Sequence, residues 1–249
     1  MNKSVWIETS GAWASSDRTD NKYFLGSVGS HAQFSENVLL GAMIQADYAK
    51  SKTDEDSVSG AGWLAGPYTV AKHPDHPLYF EARLLYGQSE NDVSPLGTFT
   101  DSFDSERFLG QAKVTGSLDY DTVKVLPYTD ITYTEDRQKS YTDSVGNIIS
   151  SQTVELTQIK SGVDVQKFID IASGMLVLSC GFEAIYSETG GSAPSTITPE
   201  YENTRGRLDL GVDYLSDQNS ILKASTFYDG IGSPDYEGYG VNITYVKEF

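Results

Sequence analysis

The chain has 249 residues, of which 39% are apolar, with a mean hydropathy of −0.35 and a formal net charge of −17. That charge excludes a nucleic-acid partner, which needs a basic footprint. No stretch reaches the roughly 18 consecutive apolar residues of a membrane helix, which leaves a soluble β domain or a membrane β-barrel, whose alternating strands give only a weak hydropathy signal.

Period-two alternation predicts about twelve strands in chain order, and no segment has a persuasive 3.6 period. Ser4 to Ala14 and Tyr23 to Phe34 are irregular, and Val38 to Ala49 is clear. Ser57 to Val70 contains Pro67, where a bulge is expected. Leu78 to Gly87 follows. Arg107 to Tyr120 is the plainest strand: Phe108, Gly110, Ala112, Val114, Gly116, Leu118 and Tyr120 alternate with Arg107, Leu109, Gln111, Lys113, Thr115, Ser117 and Asp119. Val123 to Thr134 carries Pro127, a second expected bulge, and Thr153 to Val165 is less regular. Leu176 to Tyr186 sets Leu176, Leu178, Cys180, Phe182 and Tyr186 against Ser179, Gly181 and Glu183. Arg207 to Tyr214, Ile221 to Tyr228 and Tyr239 to Phe249 complete the set. In the last, Tyr239, Val241, Ile243, Tyr245 and Phe249 share one face, and Lys247 interrupts their row at a place where a lysine can snorkel.

The links alternate in length. Segments 88 to 105, 136 to 152 and 188 to 204 are rich in Ser, Asp, Gly and Thr, while Ser35 to Asn37 and Asp121 to Thr122 are tight. Long loops at one end and short turns at the other are the pattern of an outer-membrane barrel, with the long loops extracellular and the short turns periplasmic. Strands of ten or more residues suit a tilted bilayer crossing better than a globular sheet. The expected fold is therefore all-β: a transmembrane antiparallel up-and-down barrel of about 12 strands, forming a single domain over residues 1 to 249.

The acids then fall into two groups. Asp17, Asp20, Asp54, Glu55, Asp56, Glu90, Asp92, Asp101, Asp104, Glu135, Asp136, Asp143, Glu188, Glu200 and Glu202 lie in or beside the expected outer loops. Strand charges of both signs, namely Glu81, Arg83, Arg107, Lys113, Asp119, Asp130, Lys160, Asp164, Glu183, Arg207, Asp209, Asp213 and Lys223, must face a wet lumen, because a charge in lipid costs about 2 to 4 kcal/mol at the midplane. Gln111 joins this lining set, whose opposite charges are expected to satisfy one another.

Other chemistry finds little support. The prolines of HPDHP (His73 to Pro77) indicate a rigid turn rather than a metal site, and His31, the only strand histidine, has no identifiable catalytic partners. Cys180 reads as a small lipid-facing residue. Neither enzymatic activity nor a cofactor or metal is expected.

In SGAGWLAGPY (Ser59 to Tyr68), LYFEARLLYG (Leu78 to Gly87), ERFLGQAKVTGSL (Glu106 to Leu118), VLPYTDITYTED (Val125 to Asp136), IKSGVDV (Ile159 to Val165) and the Phe-terminated last strand, the chain resembles the C-terminal translocator domain of autotransporters, the type V secretion barrels of Gram-negative bacteria. The resemblance implies an outer-membrane location and a barrel, monomeric in this reading, that helps export an N-terminal passenger. A luminal helix would join the two, and the outer-membrane assembly machinery would recognise the last strand through Phe249 and its row. With only Met1 to Lys3 ahead of Val5, helix and passenger are expected to lie outside this chain. Passive 12-stranded solute channels and soluble β binding domains are the alternatives.

Overall fold

A computed structural model describes residues 3–16, 19–192 and 204–249, apart from the side chain of Leu96. Twelve long strands form the wall: β1 (Lys3–Ser16), β2 (Thr19–Ser35), β3 (Val38–Lys52), β4 (Ser57–Lys72), β5 (Leu78–Ser94), β6 (Asp101–Gly116), β7 (Val123–Gln138), β8 (Gln152–Ile171), β9 (Gly174–Gly191), β10 (Thr204–Ser216), β11 (Ser220–Ile231) and β12 (Tyr236–Glu248). Each pairs antiparallel with its chain neighbours, and β1 pairs with β12 from Ser4↔Glu248 to Ser16↔Tyr236, so the sheet closes on itself. Closure satisfies the ladder groups that an open edge would leave bare. A detergent-folded sample is therefore expected to migrate differently on a gel before and after boiling; identical migration would contradict a closed wall.

The polarity is inverted relative to a soluble domain. Phe108, Leu178 and Leu210 are 37%, 46% and 51% exposed on the outer surface, with Ile44, Leu84, Ile131 and Ile243 in the same belt. At its upper edge Trp13 packs on Phe24 and Tyr239, with ring centroids 5.8 and 6.0 Å apart. Such aromatic groups suit the boundary between lipid and water. Cys180 is exposed on the same outer face, two residues from Leu178.

Three expectations change. First, the long links are shorter than their composition suggests. β5 runs on to Ser94 and β6 starts at Asp101, β7 continues to Gln138, and β9 reaches Gly191. Polar residues there pair within the wall: Asn91 Nδ2 donates to Ser89 Oγ and Ser105 Oγ, both at 3.1 Å. A strand above the lipid has no apolar face to betray it, so it reads as loop. Second, Pro67 and Pro127 keep their register opposite Ala42 and Val163, without bulges. Each ring costs a ladder donor without displacing the strand. The register shifts instead fall at Gln33/Ser35 and Gly206/Arg207. Third, the wall strand β6 ends at Gly116, and Asp119 sits beyond it in a short strand, Leu118–Tyr120, where it is exposed and lies 3.3 Å from Lys124. Asp17, Glu200 and Glu202 lie outside the described residues.

Candidate functional site

The bore is the site, and strand register decides what faces it. Glu81, Lys113, Asp130 and Lys160 stand opposite one another in a single row across β5, β6, β7 and β8. With Arg83, Gln111 and Glu183 they line one cavity of about 390 Å³. Neighbouring opposite signs do not pair there. Lys113 Nζ sits 4.4 Å from the centre of the Tyr128 ring, while Asp130 accepts from Gln111 Nε2 at 2.5 Å and from Thr132 at 2.9 Å. Arg83 Nε has no hydrogen-bond partner among the described residues.

Pairing is tighter on the far side. Arg207 donates to Asp209 at 2.7 Å, lies 3.6 Å from Glu183, and stacks 3.8 Å from the centre of the Phe227 ring. Glu183 also accepts from Tyr128 Oη at 2.6 Å. Asp164 joins Glu183, Arg207 and Asp209 around a second cavity, and Lys223 lies 3.8 Å from Asp213. At the outer end Arg205 and Asp229 form a buried pair at 2.7 Å.

Among the described residues, two interactions reach over two intervening strands. Arg107 Nη1 on β6 donates to both carboxylate oxygens of Asp47 on β3, at 2.8 and 2.9 Å. Trp6 Nε1 on β1 donates to Tyr68 Oη on β4 at 2.7 Å, and His31 Nδ1 lies 2.8 Å from the same oxygen. Trp6 and Tyr68, with Leu109, pack against an inner cluster of Met43, Leu64 and Leu85, whose two leucines are only 2% and 1% exposed. The sequence reading placed Leu109 on the inward face of its strand but missed the rest of this layer and took the bore to be polar. The signal was present, because Trp63-Leu64-Ala65 and Leu84-Leu85-Tyr86 are apolar at both parities, where a lipid-facing strand needs only one.

These aromatic rings need glycine beneath them. A Cβ at Gly41 would lie 2.4 Å from Tyr68 Cζ and 2.7 Å from the backbone oxygen of Ser30, and one at Gly29 would lie 2.5 Å from the Trp6 ring. Gly41→Ala is expected to lower barrel stability by about 1 to 3 kcal/mol through overpacking, and Tyr68→Ala in the same chain to recover part of it. Urea midpoints of refolded protein in micelles check both, and an unchanged midpoint for Gly41→Ala would rule out the close contact.

Outside the lipid belt, Tyr141–Thr142 and Ile148–Ile149 form a small hairpin within the link between β7 and β8. Asp143 closes its turn by accepting from the N–H groups of Val145 at 3.1 Å and Asn147 at 2.7 Å. The Asn147 side-chain amide foremost, with these N–H groups, holds the Asp143 carboxyl below the usual carboxylate range. Asp101, placed in or beside an outer loop by sequence, opens β6 at that loop's edge, where it is buried and accepts from the Ser144 N–H at 2.8 Å. Asp136, assigned likewise, turns towards Arg107 at 3.7 Å. In the HPDHP turn, the Asp75 N–H donates to His73 Nδ1 at 3.1 Å, which ties that ring to its own backbone. On β12, Tyr239, Val241, Ile243 and Tyr245 are all exposed on the outer face, and the Phe249 N–H donates to the Lys3 oxygen at 2.9 Å. Lys247 Nζ reaches the Gln218 carbonyl at 2.5 Å, away from the apolar row.

Comparison with known proteins gives one family: the autotransporter beta-domain model matches residues 5–226. No curated relative matches the chain. Among solved structures, the chain is similar to the β domain of the Bordetella autotransporter BrkA, with a TM-score of 0.84, 15% identity and all of both chains covered. It is also similar to the translocator domain of the autotransporter NalP from Neisseria meningitidis, with a TM-score of 0.78 and 15% identity over 98% of this chain and 88% of that one. The transport unit of AIDA-I from Escherichia coli gives a TM-score of 0.78 and 14% identity over 98% and 89%. At such identities these likenesses concern the fold.

Proposed function

This chain belongs to the autotransporter beta-domain family, whose members are non-enzymatic barrels of the outer membrane that export their own passenger by type V secretion, and from that premise we propose how its parts serve that task. The chain forms one translocator domain, and the passenger and a luminal helix precede it in the full-length protein. The bore, with Glu81, Arg83, Arg107, Gln111, Lys113, Asp130, Asp164, Glu183, Arg207, Asp209 and Lys223 on its wall, is the path of the exported chain. A charged polypeptide crosses there at far less cost than through hydrocarbon, where each central charge costs several kcal/mol or more. The carrying observation is a closed wall with lipid-suited side chains outside and hydrogen-bonded charges within.

The final strand serves in assembly. Tyr239, Val241, Ile243, Tyr245 and Phe249 form the row that the outer-membrane assembly machinery reads, and the assembled barrel works as a monomer. The test fuses a reporter polypeptide ahead of residue 3 and asks whether external protease cuts it in intact cells. Surface cleavage is the expected result. A correctly folded barrel that leaves the reporter periplasmic would refute the export role and favour a solute channel.

A further inference from the structure

Accessible surface is unevenly distributed round the bore. On β3 to β5 the inward side chains Met43, Gln45, Asp47, Leu64, Leu85 and Ser89 are buried, roofed by the Trp6–Tyr68 and Asp47–Arg107 crossings, while Glu81 and Arg83 near the start of β5 remain accessible. On β10, β11, β12 and β1 the inward side chains Asp209, Lys223, Ser225, Asn242, Thr244 and Glu8 stay wholly or partly accessible, while Arg205, Asp229 and Tyr236 at the outer end are buried. Register places this second set on one continuous wall, since Asn242 faces both Ser225 and Ser10, and Thr244 faces both Lys223 and Glu8.

We infer that the path of the exported polypeptide is eccentric: it runs along the inner face of β10, β11, β12 and β1 and is kept off the β3–β5 wall. This rests on the reading of the bore as the export path. The occupant is the polypeptide segment that carries the passenger, and the wall it meets is hydrophilic, with the inward Phe227 ring of β11 stacked against Arg207. The charges of that wall are largely engaged already: Asp209 by Arg207, Asp213 within 3.8 Å of Lys223, and Glu8 by the Thr244 hydroxyl at 3.2 Å. Ser, Asn and Thr exchange hydrogen bonds between a passing chain and water at little net cost. Exposed apolar area would instead hold the chain, because burying it removes it from water. Such area exists in Met43, Leu64 and Leu85, and the two crossings shut it away.

The test uses the full-length protein with its passenger in a Cys180→Ser background. Single cysteines are walked through the segment ahead of β1, and each is paired with Ser225→Cys, Asn242→Cys, Gln45→Cys or Leu64→Cys in the barrel. After mild oxidation, only variants that keep the gel shift of a folded barrel are scored. Disulfide yields from Ser225→Cys and Asn242→Cys are expected to exceed those from Gln45→Cys and Leu64→Cys several-fold. Equal or reversed yields would overturn the eccentric path while leaving the bore as the route. An absence of disulfides from all four, with the passenger on the cell surface, would overturn the reading of the bore as the route and this inference with it.

Discussion

Leu210→Arg should largely abolish folding of the barrel into bilayers, whereas an arginine at the inward position Ser225 on the next strand should be tolerated. Leu210 is 51% exposed in the apolar belt, between Leu208 and Val212 on the same face. An arginine in the lipid belt costs about 2 to 4 kcal/mol at the midplane, falling to near zero at the interfaces, so the loss depends on depth. Asp209, next to Leu210 and facing inward, would be a poor control. Asp209 holds Arg207 at 2.7 Å, so Asp209→Arg would both break a pair and set two guanidinium groups together. Ser225→Arg is the cleaner comparison, because Ser225 lies on the accessible wet wall and only accepts a long hydrogen bond, 3.4 Å, from Asn242 Nδ2. The folded fraction, read from the gel shift after dilution into lipid vesicles, should fall far more for Leu210→Arg than for Ser225→Arg. Equal losses would show that the two faces of β10 and β11 have been exchanged.

Arg205→Met should destabilise the barrel by about 3 to 5 kcal/mol, because it strands a buried carboxylate. The side chains of Arg205 and Asp229 are 4% and 7% exposed, and Nε lies 2.7 Å from Oδ1. Arg205 also donates to Ser187 Oγ at 3.2 Å and sits 5.1 Å from the centre of the Tyr236 ring, so its removal opens a site on β9, β11 and β12 together. A buried ion pair itself adds little net stability, because desolvation offsets the attraction. The double variant Arg205→Met/Asp229→Leu should therefore recover most of what the single variant loses. Urea titration followed by tryptophan fluorescence measures both. A double variant as weak as Arg205→Met would mean that lost packing, rather than an uncompensated charge, sets the cost.

The outer face was legible in the chain because lipid imposes one rule on every strand. Phe108, Leu178 and Leu210 each sit in a row of apolar or small residues spaced by two, and that period gives both the strand and its orientation. Twelve strands, the last-strand row and the inward strand charges other than Asp119 could be written from this period and the turns alone. The ends of β5, β6, β7 and β9 could not. Above the membrane both faces are polar, so Ser89, Asn91 and Ser105 carry no alternation to distinguish a paired strand from a loop. The acids show the same limit, since Asp101 and Asp136 read as loop charges until the strand extensions turn them inward.

What the sequence determined by itself is which side of each strand meets lipid, because a single solvent-like environment acts on each residue separately and leaves a periodic record. What only the tertiary structure decided is the interior of the cylinder: that Arg107 reaches over two strands to Asp47, that Tyr68 meets Trp6 above Gly41, and that Leu64 and Leu85 are hidden beneath them. Those contacts join residues dozens of positions apart on strands that never pair. They depend on the radius and stagger of the closed ring, which no local period encodes.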